Sequence, residues 1–283
     1  MTRTQTAGSA TAAAIDDARA QGRAALVVYL PVGYPDVDGS IAAARAAVES
    51  GADIVELGLP YSDPGLDGVV NQEAMQAALE GGTRTTDVLR AVREVASTGA
   101  PTLVMTYYNP VLRYGVDRFA ADLAAAGGAG LITPDLIPDE AGEWLEAAEA
   151  HDLDKVFLVA PSSTTERLYL TVAASRGFVY AASTMGVTGA RASVGPKAEA
   201  LVAATRAAGA ERVCVGLGVS TGDQAAEVAA YADGVIVGSA IVRTLIRPDR
   251  DRDAALEDLR RLVGELAEGV RSARPLTSGG PRR

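Results

Sequence analysis

The chain has 283 residues, an apolar content of 48% and a net charge of -10. That length suits one large domain or two small ones, and the acidic balance with no Lys/Arg cluster before the tail excludes nucleic acid and anionic membrane surfaces as expected partners. Cys214 is the only cysteine and His151 the only histidine, which leaves no intramolecular disulfide, no thiolate metal site and little basis for a serine-histidine or multi-histidine mechanism.

Taken in order, residues 1–10 are polar, carry no apolar leader and are expected to be poorly ordered, as is the Ser/Gly/Pro/Arg-rich stretch 273–283. No run approaches the length of a membrane span, so a cytoplasmic protein is expected. After a helix near 10–22, β-type apolar runs fall near 26–32, 53–58, 101–106, 129–132, 155–159, 177–181, 212–216 and 233–237. They alternate with amphipathic helical stretches near 37–50, 71–97, 115–127, 139–151, 164–175, 195–209, 220–230 and 252–271. Eight strand-helix units with no compositional break predict a single (β/α)8 barrel over 11–272, an α/β fold with an extra N-terminal helix. In such a barrel the chemistry gathers in the loops that follow the strands.

Those loops hold the unusual residues. The run Ile54 to Gln72 begins as a buried strand, yet Glu56 stands inside it, where an unpaired charge would cost several kcal/mol. The following loop brings Asp63 and Asp67 among Pro and Gly. A buried Glu56 and a solvated Asp67 would differ in proton affinity, which gives one site both an acid and an anionic stabiliser; a core ion pair and a turn cap account for the same residues structurally. Tyr29 ends the first strand and Tyr107 follows the third, either lining a flat ligand or packing as ordinary core aromatics. Asp139 is expected to cap the next helix. The small, glycine-bearing segment 183–191 has the composition of a lid or of a surface loop, with Thr188 able to meet Asp67 if it closes. After the seventh and eighth strands come Gly216-Leu217-Gly218 and Gly238-Ser239, two glycine turns where barrels of this kind cradle phosphate on backbone N–H groups.

Together, Val-Glu-Leu-Gly-Leu-Pro-Tyr-Ser-Asp-Pro around Glu56, Asp67-Gly68, Tyr-Tyr-Asn-Pro at 107–110, Thr-Met-Gly-Val-Thr-Gly at 184–189, Gly-Leu-Gly-Val-Ser at 216–220 and Gly-Ser-Ala-Ile-Val at 238–242 resemble the tryptophan synthase alpha subunit family over about residues 10–270. The resemblance implies cleavage of indole-3-glycerol phosphate to indole and glyceraldehyde 3-phosphate. It also implies transfer of the indole through a shared tunnel to a beta subunit, in an alpha2-beta2 tetramer whose pyridoxal phosphate belongs to the beta chain alone. It further implies Glu56 as general acid/base, Asp67 on the indole N–H, Tyr29, Tyr107 and Tyr180 in the substrate pocket, Thr188 on the lid, and Gly189, Gly218, Gly238 and Ser239 at the phosphate. The loops at Asp63 and at 107–109 would face the beta chain. Gly65, Leu66, Val69 and Asn71 depart from the family pattern, which commonly has bulkier apolar residues at 65 and 66, proline at 69 and an aliphatic residue at 71. Two other functions are alternatives: a stand-alone lyase that releases indole, suggested by the altered loop, and a weakly catalytic protein that uses the phosphate cradle to regulate its partner.

Overall fold

The computed structural model describes residues 8–182, 196–216, 218–246 and 251–273. Nine parallel strands form one sheet: β1 (Ala25–Pro31), β2 (Ile54–Gly58), β3 (Thr102–Met105), β4 (Gly130–Ile132), β5 (Asp154–Val156), β6 (Leu158–Val159), β7 (Val179–Ala182), β8 (Val213–Gly216) and β9 (Gly234–Val237). The order runs β5-β4-β3-β2-β1-β9-β8-β7-β6. β5 and β6 are two halves of one position, parted only by Phe157: the first half pairs with β4 and the second with β7. The Phe157 carbonyl accepts the Tyr180 N–H at 3.0 Å across the break. The eight positions therefore close into a (β/α)8 barrel.

Among the described residues, twelve α-helices accompany the strands: α1 (Ala10–Ala20), α2 (Val37–Glu49), α3 (Val69–Glu80), α4 (Thr85–Ala96), α5 (Tyr108–Tyr114), α6 (Val116–Ala125), α7 (Gly142–Ala150), α8 (Thr165–Ala174), α9 (Pro196–Ala207), α10 (Gly222–Ala229), α11 (Ser239–Leu245) and α12 (Arg252–Ser272). Two of these differ from the sequence-based expectation. The single helix expected over 71–97 is split at Gly81-Gly82, where Gly82 takes φ +81° and the chain turns out of the helix. The stretch 108–114, expected as loop, is the short helix α5, because Pro110 lies in its first turn, where a missing N–H costs nothing. Gly115, at φ +96°, ends it and starts α6.

Alternation along each strand sorts side chains between two cores. Leu26, Val28, Leu30, Val55 and Leu57 pack outward against the helices, while Ala25, Val27, Ile54, Leu103, Ile132, Val156, Phe178, Cys214 and Ile236 fill the barrel. Ile15 and Ala18 of α1 join that inner cluster, so α1 closes the barrel at the ends where the strands begin. Ser9 caps α1 by accepting the Ala12 N–H at 3.0 Å. The period of two then places Glu56, two residues after Ile54, on the inner face. The buried thiol of Cys214 is as the sequence suggests. His151 ends α7, with Nε2 3.2 Å from Asp117 Oδ1. Asp139 caps no helix; it pairs with Arg167 from α8.

Candidate functional site

At the ends where the strands finish, the inner layer changes character. Tyr29 on β1 lies in register with Glu56 on β2, and Tyr180 on β7 lies in register with Cys214 on β8. Glycines make room for the two rings. A Cβ at Gly58 would stand 2.4 Å from the Tyr29 hydroxyl, and one at Gly216 would stand 2.1 Å from that of Tyr180. A side chain in either place would evict the ring from its wall.

Glu56 is fully buried, and among the described residues neither carboxylate oxygen has a hydrogen-bond partner. A charge so placed would be left without water or counter-charge, so burial raises its pKa from 4.5 to about 8. At neutral pH the group is chiefly a carboxylic acid. The burial of Glu56 expected from the sequence is thus present, and among the described residues no Arg pairs with it.

Asp67 differs from the solvated carboxylate expected for it. The residue is 9% exposed and takes the Tyr107 hydroxyl at 2.9 Å on Oδ2 and the Asn71 amide at 3.3 Å on Oδ1. Burial raises its pKa; the bonds from Tyr107 and Asn71 oppose that shift. What distinguishes the two acids is hydrogen bonding rather than wetness. Tyr107 therefore acts on Asp67. Its hydroxyl also accepts the Leu66 N–H at 2.8 Å, and its ring lies 5.2 Å from that of Tyr61. Gln72 Nε2 holds the Asp67 carbonyl at 2.7 Å. The loop that carries the acid is thus tied to the third strand's exit and to the first turn of α3.

The four aromatic and acidic residues share one space. Burial raises both the Tyr29 and Tyr180 hydroxyls well above 10.0, and the negative charges of Glu56 and Asp67 push each further. The Tyr29 hydroxyl is buried without a hydrogen-bond partner. On the other side of Tyr29 lies Gly238, where a Cβ would come 3.3 Å from the ring. Ser239 then opens α11, a short helix directly after the last strand. Its first-turn amides point away from the helix body, and Gly218, at φ +52°, follows β8 beside them in the barrel order. A glycine wall and a helix start therefore lie one ring's width from the acid. Thr188 and Gly189 lie outside the described residues.

Asn71 and Asp135, whose carboxylate takes the Tyr108 N–H at 3.0 Å, had no role in the sequence reading. A polar residue at a helical position otherwise facing the core was the available signal for Asn71, and a Pro-flanked Asp for Asp135.

A profile of the tryptophan synthase alpha chain family matches residues 15–271. The tryptophan synthase alpha chain of Mycobacterium tuberculosis is 61% identical over 256 residues, covering 90% of this chain and 92% of the relative. The chain belongs to the tryptophan synthase alpha chain family. It is a carbon–carbon lyase of tryptophan biosynthesis that cleaves indole-3-glycerol phosphate. The same relationship appears in three dimensions. A solved structure of M. tuberculosis tryptophan synthase superposes with a TM-score of 0.88 at 59% identity, over 94% of this chain and 99% of that one. A tryptophan synthase subunit alpha from Legionella pneumophila superposes with a TM-score of 0.85 at 31% identity, over 93% of this chain and 99% of that one. No helix among the described residues is long and apolar enough to cross a membrane.

Proposed function

We infer that Glu56 and Asp67 carry the cleavage between them. The bond to be broken joins the glycerol chain to an aromatic carbon, C3 of the indole, and the ring cannot leave as a carbanion. C3 must first gain a proton, which places positive charge on the ring nitrogen. Glu56, an acid at neutral pH because nothing solvates its charge, supplies that proton. Asp67, held by Tyr107 and Asn71, accepts the indole N–H and stabilises the cation. The carboxylate now on Glu56 takes the proton from the glycerol hydroxyl next to the breaking bond. The C–C electron pair returns to the ring, the hydroxyl carbon becomes the aldehyde, and Glu56 is an acid again.

Tyr29 and Tyr180 flank the ring plane. Gly218, Gly238 and Ser239 offer backbone N–H groups to the phosphate, together with Gly189 from the 183–195 segment, whose Thr188 would meet Asp67. The sequence of proton transfers calls for no metal, and pyridoxal phosphate is required only in a beta chain that receives the indole.

The partner we infer is that beta subunit, in an alpha2-beta2 assembly in the cytoplasm. Its support is the family and a relative solved as tryptophan synthase. Leu66 and Leu112, on the loop after β2 and on α5, are large apolar residues left exposed at the mouth of the barrel.

The observation that carries the reaction is the buried carboxyl of Glu56 in the middle of β2, without a partner among the described residues. An assay of indole release from indole-3-glycerol phosphate, with and without the cognate beta chain, tests it. Cleavage accelerated by the beta chain is the expected result. Cleavage that the beta chain leaves unchanged would point to the stand-alone lyase, and no cleavage in the complex to a regulator.

A further inference from the structure

We propose that Asn71 is a positioning residue for the lyase reaction: from the first turn of α3 its amide holds Asp67 in the orientation that receives the indole N–H. The inference rests on the role assigned to Asp67 above. It starts from a residue that is costly where it stands. Asn71 is 6% exposed, its neighbours Ala74, Met75 and Ala78 on the same helix are core, and a buried amide is unfavourable unless it is bonded. Among the described residues its side chain makes one hydrogen bond, from Nδ2 to Asp67 Oδ1 at 3.3 Å, while its own Oδ1 is buried without a partner. The amide is thus half satisfied, and the half that is satisfied faces the carboxylate.

That orientation follows from charge. Reversed, the amide would set its oxygen against Asp67 Oδ1, two acceptors in contact in a dry site. Tyr107 holds the opposite oxygen at 2.9 Å, so the carboxylate is gripped at both ends, from the exit of β3 and from α3. The Gln72 bond to the Asp67 carbonyl fixes the backbone from the same helical turn. An aliphatic side chain at position 71 would fill the space and could not donate.

The consequence is a dependence on pH. Among the described residues, the titratable groups around Asp67 are the hydroxyls of Tyr107, Tyr29 and Tyr180 and the carboxyl of Glu56, each from a different strand or its exit loop. None is a cation, so the hydrogen bonds from Tyr107 and Asn71 are what oppose the rise that burial imposes on the Asp67 pKa. Removing the Asn71 donor moves Asp67 towards its protonated form, and activity that needs the carboxylate is lost first on the acid side.

The test compares wild type with Asn71→Leu and Asn71→Asp in the complex with the beta chain, measuring kcat and KM for indole-3-glycerol phosphate from pH 5.5 to 9. In N71L the acid limb of kcat is expected to move up by about one pH unit, a loss of about tenfold on the acid side that closes towards pH 8.5, with KM changed by less than about threefold. In N71D, nearly the same shape with a second carboxylate, the limb moves further. A loss of the same factor at every pH, or no loss in either variant, overturns the proposal. A carbon-13 titration of the Asp67 carboxyl in N71L and wild type decides the contact without activity: a raised pKa in N71L supports it and an unchanged one refutes it. Inactive wild type would defeat the role of Asp67 while leaving that titration to judge the contact by itself.

Discussion

Asp154 and Glu56, two of the buried acids, lie toward opposite ends of this barrel and are treated differently. Asp154 opens β5 where the strands begin. Its side chain accepts the hydroxyls of Ser9 at 2.8 Å and Thr11 at 2.5 Å, and Arg176 Nε lies 3.5 Å from its other oxygen. Gly177 lets this clasp form, since a Cβ there would lie 2.4 Å from the Thr11 hydroxyl. Glu56 stands toward the end where the strands finish and, among the described residues, has no partner on either oxygen. The same functional group is a fastener for α1 at one end and a reactive acid at the other, and the difference lies in what is withheld from it. Partners turn a buried acid into structure; their absence stores a proton.

Glu56→Gln should break the comparison most severely. Cleavage of indole-3-glycerol phosphate is expected to fall by at least about 10³-fold, the scale of losing a general acid, while the fold survives. Stability should show the opposite sign. Below pH 4.5 Glu56 is protonated in both folded and unfolded chains and contributes nothing. Between 4.5 and about 8 only the unfolded chain ionises, so folding is progressively penalised as pH rises. The wild type should therefore lose up to about 4 kcal/mol relative to E56Q between pH 5 and 9, measured by urea denaturation at each pH. A difference independent of pH would contradict the raised acid.

Asp154→Ala tests the other end. It leaves the Ser9 and Thr11 hydroxyls without their carboxylate acceptor, while Arg176 keeps its pair with Asp152 at 2.7 Å, and a loss of about 2–4 kcal/mol in urea denaturation is expected, with kcat at 20 °C within about twofold of wild type. The smallest change is Thr11→Val, which removes one hydroxyl from the clasp at nearly constant shape. About 1 kcal/mol is expected there, again with activity kept. Loss of activity in either variant at full folding would show that the two ends are coupled.

Much of this was legible in the sequence because it depends on periodicity. Glu56 announces itself as a charge inside an apolar run, and the period of two alone puts it in the barrel with Ile54. Tyr29 and the Gly238-Ser239 turn are found by their place at strand ends. Four features were hidden. The break at Phe157 lies inside the apolar run Val156 to Val159, with no glycine or proline to mark it. Pro110 reads as a loop marker although the first turn of a helix accepts it. The surroundings of Asp67 come from Tyr107, 40 positions away in sequence, and no local pattern says that a loop carboxylate will be folded under. Asp154 is invisible for the same reason: Ser9 and Thr11 reach it from the far end of the chain.

The most direct measurement is the titration of the Glu56 carboxyl itself, followed by carbon-13 NMR or by its protonated C=O stretch, with E56Q as the blank. The group should be protonated at pH 7 and titrate near 8. Titration near 4.5, the ordinary value for a solvated glutamate, would mean that water or a counter-charge reaches it, and the dry acid on which the cleavage depends would not exist.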